Sequence, residues 1–177
     1  REPGAEYKAT IATESAAAVL GGVTSYMDMP NNNPPTCSQE LLARKFKKAE
    51  QDSLANYSFY IGASNDNLSE LLATDSRNIC GIKLFMGSST GYMLVDNPQT
   101  LDAIFSQVHS LIATHCEEES IILANIGAAK KRFGDEIPIS MHPSIRSREA
   151  CIASTTKAIN LALKYSSRLH ILHISTA

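Results

Sequence analysis

A lysine inside an apolar segment is the first residue of this sequence that calls for a chemical explanation. Lys83 lies in residues 80–87 (CGIKLFMG), where every other residue is small or apolar. The length and composition of this segment are typical of a buried strand, in which an unpaired ammonium is costly. Taken alone, Lys83 could form a Schiff base, bind phosphate or extend its amine out of the strand end.

Two histidines lie near the ends of further strand-like segments. His115 ends one apolar segment, and His173 lies late in another. Each histidine alone is more typical of core or rim packing than of a metal site. His170 lies three residues before His173, so strand alternation predicts that it points to the opposite face and packs against a helix. The acidic residues 117–119 could supply acids or ligands, but such a charge run more often marks a solvated helix start.

The three residues carry more information together than singly. If their strands are parallel, Lys83, His115 and His173 converge on the face where the carboxyl ends of the strands meet. Imidazole nitrogens are suitable ligands for Zn²⁺. A desolvated lysine has a lowered pKa, and its neutral amine can add CO₂ to form an anionic carbamate able to bridge two metal ions. The residues therefore allow a zinc site without requiring one.

Alternating strand-like and helix-like segments would position these side chains. The predicted strands cover residues 23–29, 57–61, 80–86, 110–115 and 169–174. The longer predicted helices cover residues 9–20, a segment that begins after an N-cap at Ser38, residues 99–109 and residues 146–166. This alternation predicts a parallel sheet, either closed as a (β/α)8 barrel or open and doubly wound. The GSSTG loop has neither a dinucleotide nor a phosphate-loop fingerprint, which weakens the nucleotide-binding form of the open sheet.

Composition excludes several classes of protein. The 177 residues are 44% hydrophobic and 19% charged, as in ordinary globular domains. A net charge of -2 leaves no electrostatic footprint for nucleic acid, and no apolar segment approaches the length of a membrane span. The four cysteines are scattered, which favours reduced thiols in a cytoplasmic protein. We therefore expect neither a nucleic-acid partner nor a membrane partner.

Six ordered motifs resemble those of the dihydroorotases, within the metal-dependent amidohydrolase superfamily. They are REPG (residues 1–4), MPN (29–31), GIKLFM (81–86), the loop at residues 88–97, THCE (114–117) and LHISTA (172–177). The resemblance covers essentially the whole chain and implies a (β/α)8 barrel with two Zn²⁺ ions. About five of the eight βα units would lie in this chain. We therefore expect residues 1–177 to be a fragment of a single catalytic domain.

The resemblance also implies a role for each matched residue. Carboxylated Lys83 would bridge the two metals, and His115 and His173 would complete the second metal site. Arg1 and Asn31 would bind the substrate carboxylate. The implied reaction is the reversible interconversion of dihydroorotate and N-carbamoyl-aspartate in pyrimidine synthesis, by a homodimer. The family's His-x-His pair and its late catalytic aspartate would flank this chain, so we expect no catalytic residue within it and no activity from the 177 residues alone.

Two alternatives to this function stay open. Allantoinase and dihydropyrimidinase share the fold and the bridging lysine, but their substrates lack the ring carboxylate that Arg1 would bind. Arg1 could instead be a surface residue or a helix cap. The second alternative is a non-catalytic, amidohydrolase-like scaffold subunit, and the retention of Lys83, His115 and His173 counts against it.

Overall fold

A computed structural model describes residues 2–87, 91–174 and 176 of the chain. Within these residues, five parallel strands form one sheet. The strands are β1 (Ser25–Asp28), β2 (Asn56–Gly62), β3 (Gly81–Phe85), β4 (Ile112–His115) and β5 (Leu169–Ile171). The helices are α1 (Ile11–Leu20), α2 (Gln39–Asp52), α3 (Leu68–Ala73), α4 (Pro98–Gln107), α5 (Glu119–Phe133), α6 (His142–Ile145) and α7 (Arg148–Tyr165), with 3-10 turns at Gly91–Met93 and Ile139–Met141.

The order of the strands decides between the two predicted architectures. Neighbouring strands in the sheet are also neighbours in the sequence, from β1 to β5. A doubly wound sheet reverses its strand order at a switch point, whereas sequential parallel strands with right-handed crossovers place the connecting helices on one face. A (β/α)8 barrel has this sequential strand order. The predicted partial barrel is confirmed, and each predicted strand is present.

Alternation gives each inner strand one face toward the helices and one face toward the barrel interior. Ile82 and Leu84 of β3 and Ile112 of β4 are fully buried and belong to the same apolar cluster as residues of α2, α4 and α7. Successive side chains of a strand point to opposite faces. Lys83 and His115 therefore project from the face opposite the helices.

The last strand is shorter than predicted. β5 ends at Ile171, and His173 lies beyond it with a φ of 36°. Positive φ is uncommon for a residue other than glycine, and here it turns the backbone away from the strand direction. The alternation rule consequently stops applying before His173.

Polar caps set the start of α2 and α7. Ser38 accepts a hydrogen bond from the Leu41 N–H at 3.3 Å, so it caps α2 as predicted. Ser147 caps α7 by accepting from the Ala150 N–H at 3.4 Å. Such caps satisfy amide groups that have no partner inside the helix.

The structure also bears on the expectations drawn from composition. The side chains of Cys37, Cys80, Cys116 and Cys151 form no disulfide with one another. In the part of the chain that the structure describes, no helix has both the length and the apolar character needed to cross a bilayer. Cys116 is buried, and its thiol donates to Thr114 Oγ1 at 3.2 Å.

A glycine allows the ends of β3 and β4 to approach each other closely. Gly87 is buried two residues after the end of β3, and a Cβ on it would overlap the backbone oxygen of Glu117. Gly127, in the middle of α5, is exposed and has no atom within 4 Å of the position of an added Cβ. The two glycines therefore differ in what an added methyl group meets.

Alanine should have opposite effects at these two positions. Gly87→Ala should lower the free energy of unfolding by roughly 2–4 kcal/mol, because a backbone carbonyl cannot rotate away from the new methyl group. Gly127→Ala should raise it by about 0.5–1 kcal/mol, because glycine is a poor residue in a helix interior. Urea unfolding of the intact protein and both variants measures the effects. Two changes of the same sign would contradict the close approach at Gly87.

Candidate active site

Lys83 has a buried ammonium, and its partners among the described residues are uncharged. The residue is 2% exposed. Its Nζ donates to the Leu84 carbonyl at 3.1 Å and lies 3.6 Å from the centroid of the Phe85 ring. Burial lowers the pKa of Lys83 to about 7, because removing the ammonium from water disfavours its charged form. A substantial fraction of this amine is therefore neutral near neutral pH.

A second buried lysine shows the contrasting case. Lys45 of α2 is 3% exposed, and its Nζ lies 2.7 Å from Oδ2 of Asp28. It also donates to the Met29 carbonyl and to Asn32 Oδ1, both at 2.8 Å. Burial lowers the pKa of Lys45, and the neighbouring Asp28 charge opposes that shift. Asp28, the last residue of β1, thus faces α2 rather than the candidate site.

His115 and His173 are in direct contact. His115 Nδ1 lies 3.0 Å from His173 Nε2, and the ring centroids are 4.8 Å apart with the planes inclined at 61°. Two nitrogens bound to one tetrahedral Zn²⁺ at ordinary distances lie about 3.3 Å apart. The two rings are therefore near the separation that a shared metal ion would need.

Phe85 lies between the lysine and the histidine pair. The β3–β4 register pairs Phe85 with His115 and Lys83 with Ala113, so these side chains project from one face. The Phe85 and His115 ring centroids are 5.9 Å apart. Burial lowers the pKa of His115, and the nearby Lys83 charge acts in the same direction. The structure thus brings the three predicted ligands into one neighbourhood, while their role as ligands stays a prediction.

Glu117 is a site residue that sequence reasoning missed. Its side chain is 14% exposed and accepts from His115 Nε2 at 2.7 Å. Arg146 donates from Nε to Glu117 Oε1 at 2.8 Å, and its Nη2 contacts Oε2. The expectation of a solvated helix start is therefore wrong for Glu117, although α5 does begin two residues later.

The ion pair between Glu117 and Arg146 determines which nitrogen of His115 is protonated. Burial alone would raise the pKa of Glu117, but hydrogen bonds from Arg146 and His115 outweigh it, and the pKa is lowered. An ionised carboxylate only accepts hydrogen bonds, so the His115 proton lies on Nε2. The Nδ1 atom of His115 consequently presents its lone pair toward His173.

Of the two predicted substrate-binding residues, the structure describes only Asn31. Arg1 lies outside the described residues, as do residues 88–90 of the loop motif. Asn31 is partly buried in the loop that follows β1. Asn31 therefore lies at the carboxyl end of its strand, where the barrel places its functional groups.

The predicted orientation of His170 is wrong. The register pairs His170 with Ala113, so it shares the face of Lys83, and the residue is exposed rather than packed against a helix. Its neighbours Leu169 and Ile171 instead pack against the apolar cluster on the helical side. The prediction failed because it counted alternation back from His173, which lies beyond the strand.

A cleft of about 520 Å³ opens beside the histidine pair, a volume suited to a small molecule. Its polar lining includes His115, Glu117, His142, Arg146 and His173. Within residues 2–87, 91–174 and 176, no three His, Cys, Asp or Glu side chains are grouped to hold a metal ion. The candidate donors are therefore the two imidazoles and, once carboxylated, the lysine.

Known proteins with similar sequence or structure include dihydroorotases and a hydantoinase. No protein-family model matches the chain. It is 30% identical to the dihydroorotase of Methanosphaera stadtmanae over 99% of this chain and 40% of that protein. It is 25% identical to the dihydroorotase of Methanothermobacter thermautotrophicus over 99% of this chain and 39% of that protein. The solved L-hydantoinase (dihydropyrimidinase) from Arthrobacter aurescens matches with a TM-score of 0.86 and 26% identity, over 94% of this chain and 37% of that one.

These comparisons confirm the resemblance to the dihydroorotases that the sequence motifs predicted. They also agree with the winding of the sheet, since the fold of this chain matches a part of a larger hydrolase. The chain spans about 40% of the length of the curated relatives it matches.

The two buried lysines should respond differently to the same substitution. Lys83→Met removes an ammonium with uncharged partners, so the free energy of unfolding of the metal-free protein should stay unchanged or rise by up to about 2 kcal/mol. Lys45→Met leaves Asp28 and Asn32 without their cation and should lower it by roughly 1–3 kcal/mol. Urea unfolding of the intact protein after treatment with a chelator measures both. A larger loss of stability at Lys83 than at Lys45 would show that Lys83 is the structural lysine.

Proposed function

We propose that this chain supplies metal- and substrate-binding residues of a zinc-dependent cyclic amide hydrolase. The intact native protein would interconvert dihydroorotate and N-carbamoyl-aspartate. The observation that supports this most is the meeting of Lys83, His115 and His173 at the end of parallel strands. Similarity to dihydroorotases along 99% of the chain supports the choice of reaction.

The donors present suit zinc: His115 and His173 would hold one ion, and a carboxylated Lys83 would supply anionic oxygens to that ion and to a second one. Neutral imidazoles are good zinc ligands, and His115 and His173 already face each other through ring nitrogens. The neutral Lys83 amine would form an N–C bond to CO₂ and release one N–H proton to solvent. The product is a carbamate anion, which zinc can neutralise, whereas the ammonium form is a buried cation. Bound zinc would lower the pKa of a water molecule and polarise the amide carbonyl.

The remaining residues of the chain would orient the ligands and the substrate. Glu117, itself held by Arg146, would keep His115 Nδ1 directed at the metal, as carboxylates that bind ligand histidines do. Asn31 would bind the substrate carboxylate through its amide, and Arg1 through its planar guanidinium. The cytoplasmic location and the homodimer that the resemblance implies stay predictions.

Hydantoinase or dihydropyrimidinase activity is the second candidate function. It is favoured by the structural match to the Arthrobacter aurescens enzyme at 26% identity. We prefer dihydroorotate because the sequence relatives quoted above are dihydroorotases. The distinguishing chemistry is the ring carboxylate, for which Arg1 and Asn31 are suitable partners.

A panel of cyclic amides should separate these functions. We expect kcat/KM of the zinc-loaded intact protein to be at least about 10-fold higher for dihydroorotate than for dihydrouracil, hydantoin or allantoin, because only dihydroorotate has a carboxylate at the ring position in question. Initial rates on each substrate, with the zinc content measured in parallel, give the comparison. Faster opening of dihydrouracil or hydantoin would reject dihydroorotase in favour of the second candidate. A protein without bound zinc or turnover would instead be a scaffold subunit.

Removing the Glu117 charge should weaken zinc binding. Glu117→Gln should reduce zinc affinity by roughly 10–100-fold, because the amide no longer fixes the protonation of His115. Glu118→Gln is the matched control, since the Glu118 carboxylate accepts from Ser120 and is not hydrogen-bonded to a candidate ligand. Competition against a chelator at constant pH measures the affinities. An equal affinity in both variants and the wild type would remove Glu117 from the site.

A further inference from the structure

We infer that Lys45 is a positioning residue for the substrate-carboxylate pocket, an inference that rests on the proposed function. Lys45 lies on α2, outside the barrel, and no resemblance assigns it a role. Its connection to the site is the segment that follows β1, residues 29–36, which we call the β1 loop. Asn31, the predicted carboxylate ligand, lies in this loop.

Lys45 holds the β1 loop on both sides of Asn31. Its Nζ donates to the Met29 carbonyl and to Asn32 Oδ1, both at 2.8 Å. Thr36 also donates its hydroxyl to Asn32 Oδ1 at 3.1 Å, and its N–H donates to the Pro30 carbonyl at 2.9 Å. The loop is thus folded around one buried ammonium, with Asn31 between two of the groups that this ammonium binds.

Asn32 extends the same network to the segment that follows Arg1 in the sequence. Its Nδ2 donates to the Glu2 carbonyl at 3.1 Å, and the Asn33 N–H donates to the Pro3 carbonyl at 3.1 Å. Gly4 has a φ of 95°, and a Cβ on it would overlap Asn33. Residues 2–4 are therefore docked against the β1 loop, and one asparagine side chain links this segment to Lys45.

The location of Lys45 within α2 indicates that its charge serves more than packing. The buried residues of α2 are Leu42, Lys45 and Ala49, which form one stripe toward the core. An apolar side chain would fill the middle position without the cost of desolvating an ammonium. The charge is instead explained by the three oxygens it organises, one from Asp28 and two from the β1 loop.

Kinetics of the intact, zinc-loaded protein test this inference. Lys45→Met and Asn32→Ala should each raise KM for dihydroorotate about 10-fold or more, with kcat within about 3-fold of wild type, because substrate binding rather than the metal site is disturbed. Lys45→Arg, which keeps the charge, should give a smaller rise than Lys45→Met. Lys47→Met removes an exposed lysine of the same helix and should leave both constants unchanged. Zinc content should equal that of the wild type throughout.

The possible results separate this inference from the proposed function. If KM stays within about 2-fold of wild type in Lys45→Met and Asn32→Ala, Lys45 is not a positioning residue, and the proposed function stands. The inference would also be overturned if kcat fell in proportion to the loss of folded protein while KM stayed constant, because Lys45 would then act only on stability. If Lys45→Met does not fold, Asn32→Ala decides, since it cuts the same network in a partly exposed loop. A wild-type protein that does not turn over dihydroorotate rejects the proposed function and this inference with it.

Discussion

A buried ammonium on the inner face of β3 is the constraint on which the rest of the site depends. Lys83 has a carbonyl and an aromatic ring as partners, and neither offsets the loss of hydration as an anion would. Lys45, equally buried, has Asp28 as an ion partner. The cost of the buried Lys83 charge can be removed in two ways: the amine can lose its proton, or it can be converted to an anion that binds cations. The proposed carbamate is such an anion. Its formation requires a neutral amine, and the lowered pKa of Lys83 makes that form available.

The register of the sheet gives this lysine its neighbours. Because Phe85 pairs with His115 and Lys83 with Ala113, one face carries the ammonium, an aromatic ring and an imidazole in sequence. A slip of one residue would turn the lysine toward the apolar cluster and Ile82 toward the interior. Close approach at Gly87 holds the end of β3 beside the backbone of Glu117. Packing of the helical face therefore determines the chemistry of the opposite face, through the alternation of the strands.

Local patterns in the sequence could predict the strands, their parallel direction, the cap at Ser38 and the shared face of Lys83 and His115, whereas the barrel winding was implied only by the family resemblance. Each of these depends on spacing within one element or on the common direction of parallel strands. The Glu117–Arg146 pair could not be predicted in this way, since it joins groups from two separate elements that meet only in the fold. The same holds for the oxygens that bind Lys45. His170 was misassigned because a pattern of alternation does not show where a strand ends.

Two cations outside the strands hold the polar groups of the site from different sides. Arg146 precedes α7 and fixes Glu117, which in turn fixes the proton of His115. Lys45 belongs to α2 and fixes Asn32, which in turn binds the segment after Arg1. In both cases the strand end carries the group proposed to meet metal or substrate, and a residue outside the strands supplies the charge that orients it. Orientation of the site therefore depends on how α2 and the segment between α6 and α7 pack against the sheet, because these two parts of the chain carry the cations.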